Sequence, residues 1–207
     1  LGHAYSALRA HDLAQAGHGR FLLRIEDIDQ TRCRPEHVVG IYEDLRWLGL
    51  NWDRDVMFQS DRHSAYAAAL DRIVAQGLAY RCWCTRAEVA ANIDAPQGDA
   101  QPVYPGTCKG RDDPGDGRPY SWRLDVAEAV RRSGYLTWTD ADAGEVQATP
   151  ERLGDVVIAR KDAPAAYHLA VVVDDHWQGV TDVVRGRDLF DSTHIHRLIQ
   201  YILDIRP

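Results

Sequence analysis

Methionine is almost missing: Met57 is the only one in 207 residues, and residue 1 is Leu1. The expectation is therefore the middle part of a longer protein, and the stop at Arg206-Pro207, straight after an apolar helical pattern, agrees with it. No stretch approaches the roughly 18 apolar residues that a membrane-spanning helix needs, and no basic-then-apolar leader is present, so a cytoplasmic protein without membrane contact is expected. Cysteine is scarce too, and four are too few for a disulfide scaffold. Positive charge is not in excess. At a net charge of −7 and a pI of about 5.7, the field of the whole molecule repels phosphate, and any nucleic-acid contact must come from a local basic patch. Internal repeats are lacking. The 45% apolar, 27% charged and 9% aromatic residues are those of a soluble globular protein, which excludes disorder and collagen-like or coiled-coil arrays. The length suits one α/β domain with an insertion, or two small domains, with a real core.

Helical spacing runs from 3 to 16 and stops at Gly17 and Gly19, and Phe21–Ile25 reads as a buried strand leading into the acidic run Glu26-Asp27-Ile28-Asp29. A second helix follows Pro35 and continues to Gly49, and a third runs from Ser64 to about Gln76 before Gly77. This is the rhythm of an α/β unit. From Leu78 the texture changes. Thr85-Arg-Ala-Glu88 has the spacing of a capping box and opens a short helix, and residues 94–119 are rich in Pro, Gly and Asp with little periodicity. So long an irregular stretch calls for a function or an external staple. Tyr120–Val126 and Tyr135–Thr139 read as strands of a small separate module. Regular α/β texture returns at Gly154–Ile158, in Ala170–Val173 and in Gly179–Val184, and a last helix covers Ser192–Leu203; for Tyr167–Asp175 strand and helix both fit. The expected architecture is a discontinuous α/β domain, 1–79 and 150–207, interrupted by an insertion over 80–149.

Four constellations carry chemistry. Leu1-Gly-His-Ala4, at a helix start, lets a nucleotide base approach the Gly2 backbone while His3 and the helix N-terminus face phosphate; an ordinary surface histidine is the other reading. Leu23–Arg32 sets three carboxylates between two arginines at a strand end, where Glu26 can accept a substrate ammonium, or where a solvated loop closes its own Arg–Asp pairs. Cys82-Trp-Cys84 and Tyr104-Pro-Gly-Thr-Cys108 bracket the irregular stretch. Three thiolates there suit a tetrahedral zinc staple, with Tyr104 as the best local fourth ligand, and three reduced thiols in a small core are the alternative; Cys33 reads as a plain buried thiol. Finally, Ala166–Asp188 offers Tyr167, paired Asp174-Asp175, His176 and the fork of Arg185 for clamping a small charged ligand, although Asp174 also reads as capping amides of the turn at Gly179.

In this order, these segments resemble the glutamyl-tRNA synthetase group of class I aminoacyl-tRNA synthetases over nearly the whole chain. Leu1-Gly-His-Ala resembles the tail of the His-Leu-Gly-His signature, Phe21–Arg32 that group's Arg-Ile-Glu-Asp segment, and Tyr167–Gly186 its Tyr-His-Leu-Ala…Asp-Asp-His…Gly-Val-Thr…Arg-Gly segment. Within the group the likeness is greatest to the short paralogous branch, the glutamyl-queuosine tRNA(Asp) synthetases. That branch has Cys-x-Cys with Tyr-x-x-x-Cys, as Cys82, Cys84, Tyr104 and Cys108 read, whereas zinc-carrying full-length enzymes place a ligand where this chain has Gly110, and typically Asn where it has Val171.

The resemblance implies a Rossmann-like class I catalytic domain with a zinc-containing α+β insertion. It implies an enzyme that activates L-glutamate with ATP and Mg²⁺ and transfers it to queuosine at the wobble position of tRNA(Asp); a monomer is the separate expectation. Gly2 and His3 would line the ATP site, His3 in the catalytic role; Glu26 would bind the amino group of glutamate, and Tyr167 and Arg185 its carboxylate and side chain. Structural zinc would sit on Cys82, Cys84, Tyr104 and Cys108. The first histidine of the signature and the phosphate-neutralising Lys-Met-Ser-Lys-Ser-like loop are absent, so these 207 residues alone are expected to activate glutamate poorly. A truncated glutamyl-tRNA synthetase charging tRNA(Glu) and a non-catalytic tRNA-binding module are the competing readings. Lys109, Arg111, Arg118 and Arg131-Arg132 form an RNA-facing basic patch or are simply solvated.

Overall fold

A computed structural model describes residues 1–29, 32–91 and 103–206. The chain divides into two compact units, 1–63 with 180–190, and 64–179 with 191–207.

In the first unit, helix α1 (Gly2–Ala16) leads to strand β1 (Arg24–Ile25), helix α2 (Pro35–Trp47) and strand β2 (Met57–Phe58). Proline is tolerated in the first turn of α2, where its missing N–H has no partner to lose. The expected strand over Phe21–Ile25 is shorter than its apolar run because, among the described residues, β2 alone pairs with it, in parallel, Arg24 with Met57 and Ile25 with Phe58. Phe21, Leu45 and Leu50 form the core, with Ala7, Leu8, Ala10 and Ala14 of α1 packed on it. Asp53 closes the strand entry, accepting the Phe21 N–H at 2.9 Å. Residues 180–186 form neither helix nor strand, unlike the regular texture expected of Gly179–Val184.

The second unit opens with helix α3 (His63–Ala75), whose first residue belongs to the other unit, and strand β3 (Ala79–Cys82). Then come helix α4 (Arg86–Ala91), strand β4 (Ser121–Leu124), helix α5 (Val126–Ser133), the hairpin β5 (Thr137–Asp140) and β6 (Gly144–Gln147), and strand β7 (Val157–Ala159). Helices α6 (Tyr167–Gln178) and α7 (Ser192–Ile202) complete it. The capping box forms as its spacing implies: the Thr85 N–H donates to Glu88 at 2.7 Å, and the Glu88 N–H to Thr85 Oγ1 at 3.2 Å. Strands β3, β4 and β7 make one antiparallel sheet in that order, so strands from both sides of residue 150 share it. Leu124, Ile158, Leu169, Ile195, Leu198 and Ile199 are fully buried in this unit. No helix among the described residues is long and apolar enough to cross a membrane.

Tyr167–Asp175 is helical. Its valines sit in α6 because Leu169, Ala170, Val171 and Val172 are buried, and burial outweighs the weak helix propensity of β-branched side chains. The Gly179 N–H is taken by the Asp175 and His176 carbonyls rather than by the Asp174 side chain that was expected to order this turn. The Asp174 carboxylate is wholly buried and accepts the Tyr66 hydroxyl at 2.7 Å, and Gly179, left-handed at φ 67°, closes the turn. Replacing Tyr66 with Phe removes a donor from that buried carboxylate and is expected to cost about 1–3 kcal/mol of stability by chemical denaturation; an unchanged midpoint would mean the bond has no net worth.

Candidate metal centre and substrate-binding residues

The three cysteines come together from separate places: Cys82 ends β3, Cys84 follows it, and Cys108 lies in the irregular segment ahead of β4. Their Sγ atoms all lie within 4.8 Å of one another, Cys84 and Cys108 being 3.4 Å apart. Tyr104 turns its hydroxyl to the same point. Its Oη accepts from the Cys82 thiol at 3.4 Å and from the Cys108 N–H at 2.9 Å, and lies 3.8 Å from Cys84 Sγ. A tetrahedral ion with zinc–sulfur bonds of about 2.3 Å separates its sulfurs by about 3.8 Å, so this donor set fits zinc with little movement. Among the described residues it is the one such cluster of three metal-ligating groups.

The thiols are unequally protonated. Burial, then the bond with Cys108, pushes Cys84 up to about 11. Burial also raises Cys108, but hydrogen bonds from Tyr104 and from the Trp83 and Cys84 side outweigh it and bring Cys108 down to about 7. One thiolate is thus ready near neutral pH, while burial and its sulfur neighbours hold the Tyr104 phenol well above its ordinary range. A depression of about 300 Å³, lined in part by Cys84, Cys108, Glu88, Arg111 and Arg118, opens beside the sulfurs and gives an ion its entry path.

The supporting contacts were not legible as motifs. Lys161 donates to the carbonyls of Trp83 and Cys84 at 3.1 and 3.2 Å. The Arg123 guanidinium lies over the Tyr104 ring, 3.6 Å from its centroid, and donates to the Asp155 carbonyl at 2.6 Å. Tyr104 also bridges Gly154 in parallel, outside the named strands.

Gly2 and His3 open α1 and are exposed. Glu26 directly follows β1, exposed, with Arg24 Nη2 at 3.4 Å from its carboxylate. Arg32 holds Asp29 at 2.9 Å, so the loop closes its own pairs while leaving Glu26 accessible. Asp27 plays a part the sequence did not announce, accepting both the N–H and the hydroxyl of Ser60 at 2.9 and 2.7 Å and tying the loop after β1 to the end of β2. Cys33 is half-buried rather than buried, its thiol aimed at the Glu26 carbonyl at 3.7 Å. Arg185 is half-buried in the irregular segment of the first unit, the unit that also holds His3 and Glu26.

Tyr167 is the first residue of α6 in the second unit. Its ring packs on His168 and His196 at centroid distances of 5.4 and 5.5 Å, and those two imidazoles share a hydrogen bond of 3.1 Å. Val171 lies one turn along the same helix, buried. Most of the scattered basic residues are engaged: Lys109 pairs with Asp125, Arg118 with Asp116, and Arg131 and Arg132 with Glu128, which favours the solvated reading over an RNA-facing patch.

The family model for the catalytic domain of class I tRNA synthetases (E and Q) matches residues 1–207. The chain belongs to this family. Among curated members, a glutamyl-Q tRNA(Asp) synthetase of Rhodobacter capsulatus is 45% identical over 217 residues, spanning 99% of this chain and 78% of that protein. Proteins of the same name from Symbiobacterium thermophilum and Pseudomonas putida are 43% and 42% identical over 93% and 98% of this chain. The chain spans 63% of the length of each of those two. In three dimensions, a glutamate tRNA ligase of Elizabethkingia meningosepticum, solved in complex with its amino acid, superposes with a TM-score of 0.78 at 25% identity, over all of this chain and 45% of that one. The α/β catalytic fold of class I synthetases is therefore established here, with a cysteine cluster able to hold a metal inside it.

Proposed function

We propose that the chain is the catalytic part of a ligase that activates L-glutamate with ATP and transfers it to queuosine at the wobble position of tRNA(Asp). The observation that carries this reading is identity of 42–45% over 93–99% of the chain with relatives named for that reaction. The Cys82, Cys84, Tyr104 and Cys108 donor set, with Gly110 where full-length zinc-carrying enzymes place a ligand, supports the same branch. The reading makes the protein cytoplasmic and monomeric.

The chemistry is carried by positioning and charge neutralisation. A carboxylate oxygen of glutamate attacks the α-phosphorus of ATP, the bond to the β-phosphate breaks, and pyrophosphate leaves. A hydroxyl of the queuosine cyclopentenediol then attacks the activated carbonyl, loses its proton, and AMP departs. Gly2 lets the nucleotide approach the backbone at the start of α1, and His3 donates to phosphate there. Glu26 takes the substrate ammonium. The Arg185 fork and the Tyr167 hydroxyl hold the carboxylate and side chain of glutamate. Mg²⁺ supplied with ATP would offset phosphate charge, and Cys82, Cys84, Tyr104 and Cys108 would hold a zinc ion that would tie the segment around Cys108 to the end of β3.

The test is transfer of labelled glutamate by the full-length protein to tRNA(Asp) with and without queuosine, beside tRNA(Glu). Label on queuosine-bearing tRNA(Asp) alone is expected; label on tRNA(Glu) would make the protein an ordinary synthetase, and no label on any tRNA would favour a non-catalytic module.

A further inference from the structure

We propose that Arg123, with Gly154 behind it, is the positioning residue that makes Tyr104 a metal ligand by holding its phenol ring with Oη among the three sulfurs. The inference rests on the zinc reading above and extends it to a residue that touches no metal. A phenol is an uncommon ligand, and a freely rotating one loses its place to water; it competes only when its ring is ordered beforehand.

Three observations point to Arg123 as the source of that order. Its guanidinium carbon lies 3.6 Å from the Tyr104 centroid, far nearer than the 4.6 Å of Arg81 over Tyr120. At this distance the cation covers the ring face instead of grazing it. The guanidinium is itself fixed, with Nη1 donating to the Asp155 carbonyl at 2.6 Å, and its Nε is buried with no hydrogen-bond partner. An orphan buried donor is a cost, and the ring contact is what the geometry obtains in exchange. The Asp155 carboxylate does not draw the guanidinium away, because it accepts from the Tyr80 hydroxyl at 2.7 Å and from the Val126 N–H at 2.9 Å.

On the backbone side, Gly154 bridges Tyr104 at φ 62°, and a Cβ there would collide with the Val103 side chain. Backbone and ring are thus clamped from two directions, and Oη already accepts the Cys108 N–H. Charge agrees with geometry. With zinc bound, three thiolates and a phenolate around the dication would leave the cluster negative, and the Arg123 cation lies against it.

The experiment measures zinc affinity by chelator competition, and cobalt(II) absorption as a report on the ligand set, in the full-length protein. Arg123→Met, Tyr104→Phe and the two combined are compared with the parent. Arg123→Met is expected to weaken zinc by roughly ten- to a hundredfold, as loss of an outer support typically does. Its cobalt spectrum should move to that of Tyr104→Phe, and the combined variant should lose no more than either single one. Parent-like affinity and spectrum in Arg123→Met, or losses that multiply in the combined variant, would overturn the proposal. Should Arg123→Met not fold, Gly154→Ala is read in the same way, with the same shift expected and an unshifted spectrum overturning it. A parent protein that binds neither metal would overturn the zinc reading itself and this inference with it.

Discussion

Stripping the full-length protein of metal with a strong chelator is expected to raise amide hydrogen exchange across 79–91 and 103–120 while α6 and α7 keep their protection. The reason is how little else holds that region. Its core is Cys82, Trp83, Tyr104 and Cys108, with Tyr80, Cys84, Val89 and Tyr120 packed around them, and three of those four buried residues are themselves proposed ligands. Such a cluster buries too little apolar surface to fix irregular segments, whereas a structural zinc site supplies on the order of 10 kcal/mol of folding free energy. Helices α6 and α7 draw on a separate supply. Leu169, Ile195, Leu198 and Ile199 are fully buried, and α3 and the residue after it reach the end of α7, Arg72 donating to the Leu203 carbonyl at 2.8 Å and Gln76 to the Ile202 carbonyl at 3.1 Å. Exchange that ignores the chelator would mean that three reduced thiols pack there without an ion.

The second large effect belongs to Arg185. Its replacement by Ala in the full-length protein should weaken L-glutamate binding by about 3 kcal/mol, roughly a hundredfold, because the bidentate charge-assisted contact proposed for it would be lost. In pyrophosphate exchange the KM for glutamate should rise while that for ATP stays near the parent value. A Lys in its place restores the charge but not the planar fork, so most of the loss should persist. An unchanged glutamate KM would remove Arg185 from the substrate site.

Much of this was legible in the sequence where the signal is local. The helix boundaries around Gly17, Gly49 and Gly77, the capping box at Thr85, and the meeting of three cysteines with Tyr104 all follow from spacing within a few tens of residues. What escaped notice depends on partners far apart in the chain. Tyr66 and Asp174 are 108 residues apart, and Asp174 therefore read as a local cap. Lys161 reaches the Cys84 carbonyl across 77 residues, and nothing in its neighbours announces that. The strand at Phe21 was overlong for a related reason: an apolar run shows what will be buried, but a ladder ends where its partner ends, and β2 has two residues. The helix α6 was ambiguous because a helix buried on most of its surface loses the polar stripe that marks its period.

The sheet β3–β4–β7 carries a consequence for synthesis on the ribosome. Its three strands are drawn from 79–82, 121–124 and 157–159, so β3 waits for some forty residues before its first partner is made, and the sheet closes only after nearly eighty. Cys82, Cys84 and Cys108 all leave the exit tunnel before β4 does. An ion caught by the nascent chain would draw the intervening segment into a short closed loop, deliver β4 beside β3, and lower the entropic barrier to a pairing that otherwise spans a long stretch of chain. Zinc-starved translation would then leave β3 without its β4 partner, the kind of exposed strand from which aggregation starts.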